Sequence, residues 1–497
     1  MGDSLLHTSL CNATNLPVST MTAPEEIHPE DNKLLVQIAT YNTNLQGNAG
    51  LPQDLVDWLA PTLKVANFLA RGKQAPDIVA VGFQELLPLH LGLSGMSRKV
   101  IDSRDALIRS QIEEYAPIRE SYMLVAKIVN VGVALLVYVR DEVLGSKVCD
   151  VQTQWTGCGP AWMGNKGAVG VRFRVRGDRD EDVGETFTFV NAHLTAHSGN
   201  LEQRILDYKQ IVGTLLFPPL SASSKTRTTI YDTSHLFFLG DLNFRLTFSS
   251  SPSITPPENG DASQPAQEMK AQLIEWLKDD FEREKLKEYD ELFVERRNGR
   301  VFVGLHEGDF WQFKCTYKYK LKEVDRYNEK RSPAWTDRVM FASYFDSPDS
   351  PEKSSIEPIL YTSIPSYTTS DHKPVVALLL VPTHLFSSTT PPSPSTSTST
   401  STSTSIPRKE EGIPTITLPS TYTPTPDKHW ILKRYVGRAL DRIVGVLWTL
   451  LWLVGLGNAA FGLVNFVFGL VAWKWMGRGG SGNAVGEAVT SAGAGEV

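Results

Sequence analysis

Asp241 and Asn243 stand two residues apart in Gly240-Asp241-Leu242-Asn243-Phe244-Arg245, directly after the apolar run His235 to Leu239. A carboxylate at the end of a buried strand can orient and deprotonate water, a task that contributes on the order of 10² to 10⁴ in rate. The amide two residues on projects to the same side and can hold a phosphoryl oxygen; taken alone, the pair also fits an Asx turn. Asn42 follows the strand-like run Leu34 to Thr40, and Glu85 follows the run Asp77 to Gly82. Together they offer amide and carboxylate oxygens, which suit a hard cation such as magnesium that keeps several waters. Asp371 and His372 lie in Ser370-Asp371-His372-Lys373-Pro374, just before the apolar run Val375 to Val381, and Asp337 lies in Pro333-Ala334-Trp335-Thr336-Asp337-Arg338. A histidine oriented by a carboxylate holds one tautomer and presents a donor to a phosphoryl group, although spacing alone does not join Asp337 to His372. His193 and His197 have the four-residue spacing of a zinc-binding helix pair, but the run before them is strand-like and no Glu follows the first His, which argues against zinc.

Such residues need a rigid frame, and Lys33 to about Pro382 has the composition of a folded domain. Strand patterns fall at Leu34 to Thr40, Asp77 to Gly82, Tyr122 to Ile128, Val131 to Arg140, Gly167 to Val175, Thr186 to Asn191 and His235 to Leu239. Helical patterns fall at Asp54 to Leu69, Ser97 to Glu114, Leu201 to Leu215 and Ala266 to Lys287. No helix separates the strands between Tyr122 and Asn191, so they should pair by hairpins while the flanking helices pack on sheet faces. The expected fold class is α/β, a layered sandwich with mixed sheets. Ser250 to Pro265 reads as a polar surface loop.

The flanks differ in kind. Residues 1–32 are polar and carry no signal-peptide pattern. Thr383 to Lys428, with Ser387 to Ser405 made only of Ser, Thr and Pro, reads as a flexible linker, because it buries too little apolar surface to offset its ordering entropy. Ile443 to Trp473 runs for 31 residues without Asp, Glu, Lys or Arg. As one helix it would extend roughly 46 Å, beyond a hydrocarbon core of roughly 30 Å, so tilt or a break near Gly455, Gly457 and Asn458 must absorb the excess. Lys433, Arg434, Arg438 and Arg442 precede it and tryptophans lie towards both ends, the pattern of a carboxy-terminal transmembrane anchor with its amino-terminal side in the cytosol. A hairpin within one leaflet and a buried core helix are the other readings. Residues 474–497 form a short tail. The formal charge of −6 gives no general attraction to nucleic acid, and four cysteines without paired spacing read as cytosolic thiols.

Seven motifs together resemble the inositol polyphosphate 5-phosphatases, of the superfamily that includes metal-dependent endonucleases with a four-layer α/β sandwich. They are Thr40-Tyr41-Asn42, Phe83-Gln84-Glu85, Gly164 to Val169, Asn191 to His197, Gly240 to Arg245, Pro333 to Arg338 and Ser370 to Pro374, in the family's order. The resemblance covers Lys33 to about Val381. It implies that Asn42 and Glu85 hold Mg2+, that Asp241 activates the attacking water, and that Asn243, His193 and His372 grip the scissile phosphate. Asp337 would orient His372, with Asp371 beside it near the metal. Lys166, Asn165, Tyr317, Lys318 and Arg331 would bind the substrate, chiefly its neighbouring 4-phosphate. Three positions depart from the family: Phe238 for Trp, Thr336 for Cys, and Glu329 for Lys. The first two read as neutral packing changes, whereas Glu329 bears on the strength of 4-phosphate recognition, with adjacent Lys330 placed to compensate. The resemblance thus implies a magnesium-dependent phosphatase acting on phosphatidylinositol 4,5-bisphosphate, and the apolar carboxy-terminal run adds the expectation of an anchor at the endoplasmic reticulum with the catalytic domain in the cytosol. The rivals are a nuclease or sphingomyelinase of the same superfamily and an inactive inositide-binding tether.

Overall fold

The structure, a computed structural model, describes residues 32–47, 75–116, 119–178, 183–220, 225–248, 264–386 and 412–455, with a few more between 463 and 470. Two six-stranded sheets form its centre. The first has the order β11 (Glu357–Ser363), β12 (Val375–Pro382), β1 (Lys33–Asn42), β2 (Ile78–Gln84), β4 (Val133–Arg140) and β3 (Tyr122–Asn130). The second runs β5 (Val148–Gly157), β6 (Gly167–Val175), β7 (Glu185–His193), β8 (His235–Asp241), β10 (Asp337–Ser343) and β9 (His306–Glu307). In each sheet a single neighbouring pair is parallel, β1 with β2 and β7 with β8, and the others are antiparallel.

Strand periodicity of two explains the layering. Val36 and Ile38 of β1 meet Phe189, Phe237 and Leu239 of the second sheet in one buried core. The alternate residues Ala39 and Tyr41 turn outward into a cluster with Ile101, Ile108 and Ile112 of helix α2 (Ser97–Tyr115), which follows the short α1 (Leu89–Ser94). On the far side Val190, Leu236 and Phe238 pack on Ile205, Tyr208 and Ile211 of α4 (Leu201–Thr214). The result is helix, sheet, sheet, helix, as expected. Between the sheets Asn191 donates to the Phe83 and Ala134 carbonyls at 2.9 and 2.7 Å and accepts from Gln84 at 2.6 Å. This staple requires Gly82, since a Cβ there would lie 2.7 Å from the Asn191 side chain.

Three expectations are revised. The strands from Tyr122 to Asn191 do not form one hairpin series, because the chain crosses between sheets through α3 (Asp141–Leu144) and then adds β5, whose half-exposed, polar residues mask a strand pattern. The helix over Ala266 to Lys287 is two, α5 (Gln264–Trp276) and α6 (Asp280–Leu286), since Asp279 caps the second by accepting from the Glu282 amide at 3.0 Å. α7 (Glu291–Arg297) follows. The helix expected over Asp54 to Leu69 lies outside the described residues, as do most of the loop Ser250 to Pro265, residues 387–411 and residues 474–497.

The third revision concerns the tail. Residues 412–428 run extended along the domain: Ser234 Oγ donates to the Pro414 carbonyl at 2.6 Å, and the Ile416 amide donates to Thr233 O at 2.9 Å. Helix α8 (Trp430–Leu453) follows, beginning well before the apolar run, and Gly455 just beyond it has a left-handed φ of 89°. No helix among the described residues is long and apolar enough to cross a membrane. The uncharged part of α8, Ile443 to Leu453, extends only about 16 Å, and much of the stretch to Trp473 lies outside the described residues. The basic flank is not free for lipid either. Lys433 pairs with Asp427 at 2.6 Å, Arg434 and Arg438 lie 4.2 and 3.9 Å over the Trp155 ring, and Arg442 donates to Leu93 O at 2.7 Å.

Candidate active site

The parallel pairs put carboxyl ends side by side. Asn42 is in register with Gln84, just before Glu85, and His193 is in register with Asp241. The antiparallel neighbours start where those strands stop: β10 begins with Asp337 opposite Asp241, and β12 begins three residues after His372. Sheet topology therefore carries residues some 330 positions apart in sequence to one edge of the sandwich.

At that edge Asp241 is the hub. Asn42 Nδ2 donates to its Oδ2 at 2.9 Å, and the backbone N–H of Asn243 donates to its Oδ1 at 3.1 Å. His193 Nε2 lies 3.4 Å and His372 Nε2 3.9 Å from Oδ2. Burial alone would raise the Asp241 pKa, but the charges of His372, His193 and Lys166 outweigh it and hold the carboxyl well below the usual range. Asp337 Oδ2 lies 2.9 Å from His372 Nδ1, the pairing that spacing left open, and also accepts from the hydroxyls of Thr316 at 2.7 Å and Thr336 at 2.8 Å. Burial disfavours the His372 cation, yet Asp337, Asp241 and Asp371 raise its pKa to about 9.

Glu85 closes the ring from the other side, its Oε1 3.8 Å from His193 Nε2. Its backbone is left-handed, with φ at 50°, and its side chain stays 31% exposed. Glu85 Oε1 and Asp241 Oδ2 thus both flank His193 Nε2, while Asn42 turns its nitrogen to Asp241 and its oxygen to the Asn44 amide at 3.0 Å; the carboxylate and amide oxygens of Glu85 and Asn42 are of the hard type that magnesium takes. Asp241, Asp337 and His372 also place ligand atoms within 4.8 Å of one another. In that trio Asp337 Oδ2 is occupied by His372 and two hydroxyls, which makes it an orienting chain better than a cation cage.

A cationic rim surrounds the hub. Lys166 Nζ contacts His193 Nε2, and burial lowers its pKa. The Tyr317 ring lies 4.7 Å from the His372 ring and carries the Arg245 guanidinium 4.4 Å above it. Lys318 pairs with Asp371. Arg331 is exposed; its charge, behind burial and ahead of Arg245, Lys166 and Lys318, lowers the pKa of His197. Asn165 is the outlier, with its side-chain oxygen packed over Gly159. Glu329 pairs with Lys320 at 2.7 Å and Arg326 at 3.2 Å, so its charge is answered by these neighbours.

Two residues carry more than their sequence reading. Thr336 is no neutral packing change, because its hydroxyl donates to Asp337 and sits 3.4 Å from His372 Nδ1. Arg245 had no assigned role, yet it donates to Asn243 Oδ1 and stacks on Tyr317, so with the Leu194 carbonyl, which accepts from Asn243 Nδ2 at 3.2 Å, it holds the Asn243 side chain in place. Its position inside the Gly240 to Arg245 motif was the available signal. Phe238 does pack as expected, edge-on to Phe302 at 5.0 Å.

A four-layer sandwich with this carboxylate and imidazole nest at one edge places the chain among the endonuclease, exonuclease and phosphatase folds. Residues 39–378, well over half of the chain, match the Endonuclease/Exonuclease/phosphatase family 2, and the protein belongs to that family. It is 27% identical to human Synaptojanin-2 over 349 residues, covering 68% of this chain and 21% of that protein. It is 28% identical to human Phosphatidylinositol polyphosphate 5-phosphatase type IV over 363 residues, covering 71% of this chain and 46% of the relative. The chain thus spans less than half the length of these relatives. Among solved structures it is similar to the inositol polyphosphate 5-phosphatase domain of SPsynaptojanin in complex with inositol (1,4)-bisphosphate and calcium ion. That match has 24% identity and a TM-score of 0.49, covering 71% of this chain and 85% of the other.

Proposed function

We propose that this protein is a magnesium-dependent phosphoinositide 5-phosphatase that converts phosphatidylinositol 4,5-bisphosphate to phosphatidylinositol 4-phosphate, held by its carboxy-terminal region on the cytosolic face of the endoplasmic reticulum. The observation that supports it best is the convergence of Asn42 Nδ2, His193 Nε2 and His372 Nε2 within 4 Å of Asp241 Oδ2, with Lys166 on His193 and Lys318 on Asp371. Likeness to curated 5-phosphatases agrees with it.

Hydrolysis of a phosphate monoester needs charge neutralised on the transferring group and a water aligned opposite the leaving oxygen. Protonated His372, with His193 and the Asn243 amide, grips the non-bridging oxygens. Asp241 orients the water that attacks phosphorus as the bond to the inositol oxygen breaks. A carboxylate held so far below its usual pKa is a weak base, so it takes the water's proton late, once the forming bond has acidified it. Asp337 with Thr316 and Thr336 fixes the His372 tautomer. Magnesium, held by Glu85 and Asn42, would supply Lewis-acid stabilisation of developing charge.

Three outcomes follow from this arrangement. Purified full-length chain with magnesium should release phosphate from phosphatidylinositol 4,5-bisphosphate in preference to sphingomyelin or abasic DNA; a preference for either of these would overturn the assignment. Glu85→Gln should raise the magnesium concentration giving half-maximal rate by at least about tenfold, read by metal titration. Because His372 is raised from 6.5 to about 9, its charged form persists through neutral pH and is lost as pH climbs through about 9. The alkaline fall in kcat/KM should lie there, and Asp337→Asn should move it towards 6.5, as a pH–rate profile would show.

A further inference from the structure

The uncommitted feature is α8, which is amphipathic in an unusual sense: one face is fastened to the catalytic domain and the other is, among the described residues, exposed and apolar. The fastened face carries Gly437, Asp441 and Gly445 at four-residue spacing, all buried. A Cβ at Gly437 would collide with the Trp162 carbonyl, and one at Gly445 with the Ser94 amide, so both glycines let α8 touch backbone. Between them the Asp441 carboxylate accepts from the Gly164 amide with both oxygens, at 3.0 and 3.2 Å. Gly164 sits in the loop that leads into Asn165 and Lys166, and Lys166 reaches His193 in the site. At its other end α8 lies on α1, with Trp452 stacked on His90 at 5.5 Å. α1 begins only a few residues after Glu85. One helix therefore braces the two loops that carry the substrate lysine and the metal-facing carboxylate.

The bare face bears Ile443, Leu447 and Leu451, each at least half exposed, and the apolar surface continues at Leu463, Val464 and Phe466. An uncharged run of 31 residues with tryptophans towards its ends has the chemistry of a lipid interface. The docked cations of its flank show that the helix is held by protein on one side, which leaves lipid for the other.

We infer that α8 is a rigid bracket that seats the mouth of the active site on a lipid bilayer, with Asp441 as the positioning residue that ties the bracket to the Gly164 to Lys166 loop. The inference rests on the reading of the chain as a phosphoinositide phosphatase. It goes beyond that reading because attachment alone would leave the orientation of the site free.

The test uses the full chain and two probes, soluble inositol 1,4,5-trisphosphate and phosphatidylcholine vesicles containing phosphatidylinositol 4,5-bisphosphate. Leu447→Glu puts a charge on the exposed apolar face and leaves the contacts of α8 with the domain in place. It should keep soluble turnover within about twofold and lower vesicle turnover by about tenfold, since orientation and not chemistry is lost. Asp441→Ala should raise the soluble KM several-fold at nearly constant kcat, with Asp441→Asn, which keeps an acceptor, restoring most of it. Equal vesicle-to-soluble ratios for Leu447→Glu and the natural chain would overturn the bracket. Hydrogen exchange of residues 162–167 provides a readout that needs no turnover. It should be slow in the natural chain and faster in Asp441→Ala, and equal rates would also overturn the inference. Absence of phosphate release from both probes by the natural chain would instead refute the proposed function, with the exchange result still deciding the role of Asp441.

Discussion

Asp241→Asn is expected to cut phosphate release by at least about 100-fold while leaving the fold and substrate KM nearly unchanged. The replacement keeps the shape of the side chain but cannot take the proton of the attacking water. It also removes one of the carboxylates that keep His372 charged, so the residual activity should fail at lower pH than that of the natural chain. The surrounding hydrogen bonds come from the Asn42 side chain and the Asn243 amide, and an amide oxygen at position 241 can still accept one of them. A steady-state assay on a soluble headgroup, paired with a melting curve, separates lost chemistry from lost structure. Activity within tenfold of the natural chain would remove Asp241 from the role given to it.

The second large effect concerns stability. Arg338 is fully buried and donates to Glu307 at 2.5 and 2.7 Å and to Asp290 at 2.9 Å, with its guanidinium 3.7 Å over the Phe310 ring. Arg338→Met would leave buried Asp290 without its cation and Glu307 with only Arg296, at 3.5 Å, and breaking such a cluster costs about 3 to 5 kcal/mol. The denaturant midpoint should fall accordingly at unchanged slope. Adding Glu307→Gln should recover part of the loss, because the unpaired charge is the greater share of the penalty. A single variant within about 1 kcal/mol of the natural chain would contradict this account.

Much of this molecule was legible from residue order. The short, largely apolar runs Leu34 to Thr40 and His235 to Leu239 marked strands buried on both faces, and polar residues at their carboxyl ends marked the site. Local pattern could not reveal β5, whose exposed polar positions resemble a loop, or the passage between sheets after β4. Nor could it show Thr336 bonded to Asp337, because a hydroxyl beside a carboxylate in sequence declares no geometry. The tail shows the same limit more plainly. Composition describes Thr383 to Lys428 as a tether and the cations before Ile443 as a membrane flank, yet the Asp441 to Gly164 contact spans 277 positions. Contacts at that separation depend on the assembled surface of the domain, which periodicity does not encode.

The central claim is that the site directs water onto the 5-phosphate of an inositide. The most direct measurement is a reaction with phosphatidylinositol 4,5-bisphosphate and magnesium in ¹⁸O-water, with both products analysed by mass and by position. The account expects one label in the released phosphate, none in the inositol ring, and phosphatidylinositol 4-phosphate as the remaining lipid. Label on the ring, or a remaining lipid that has kept its 5-phosphate, would contradict it.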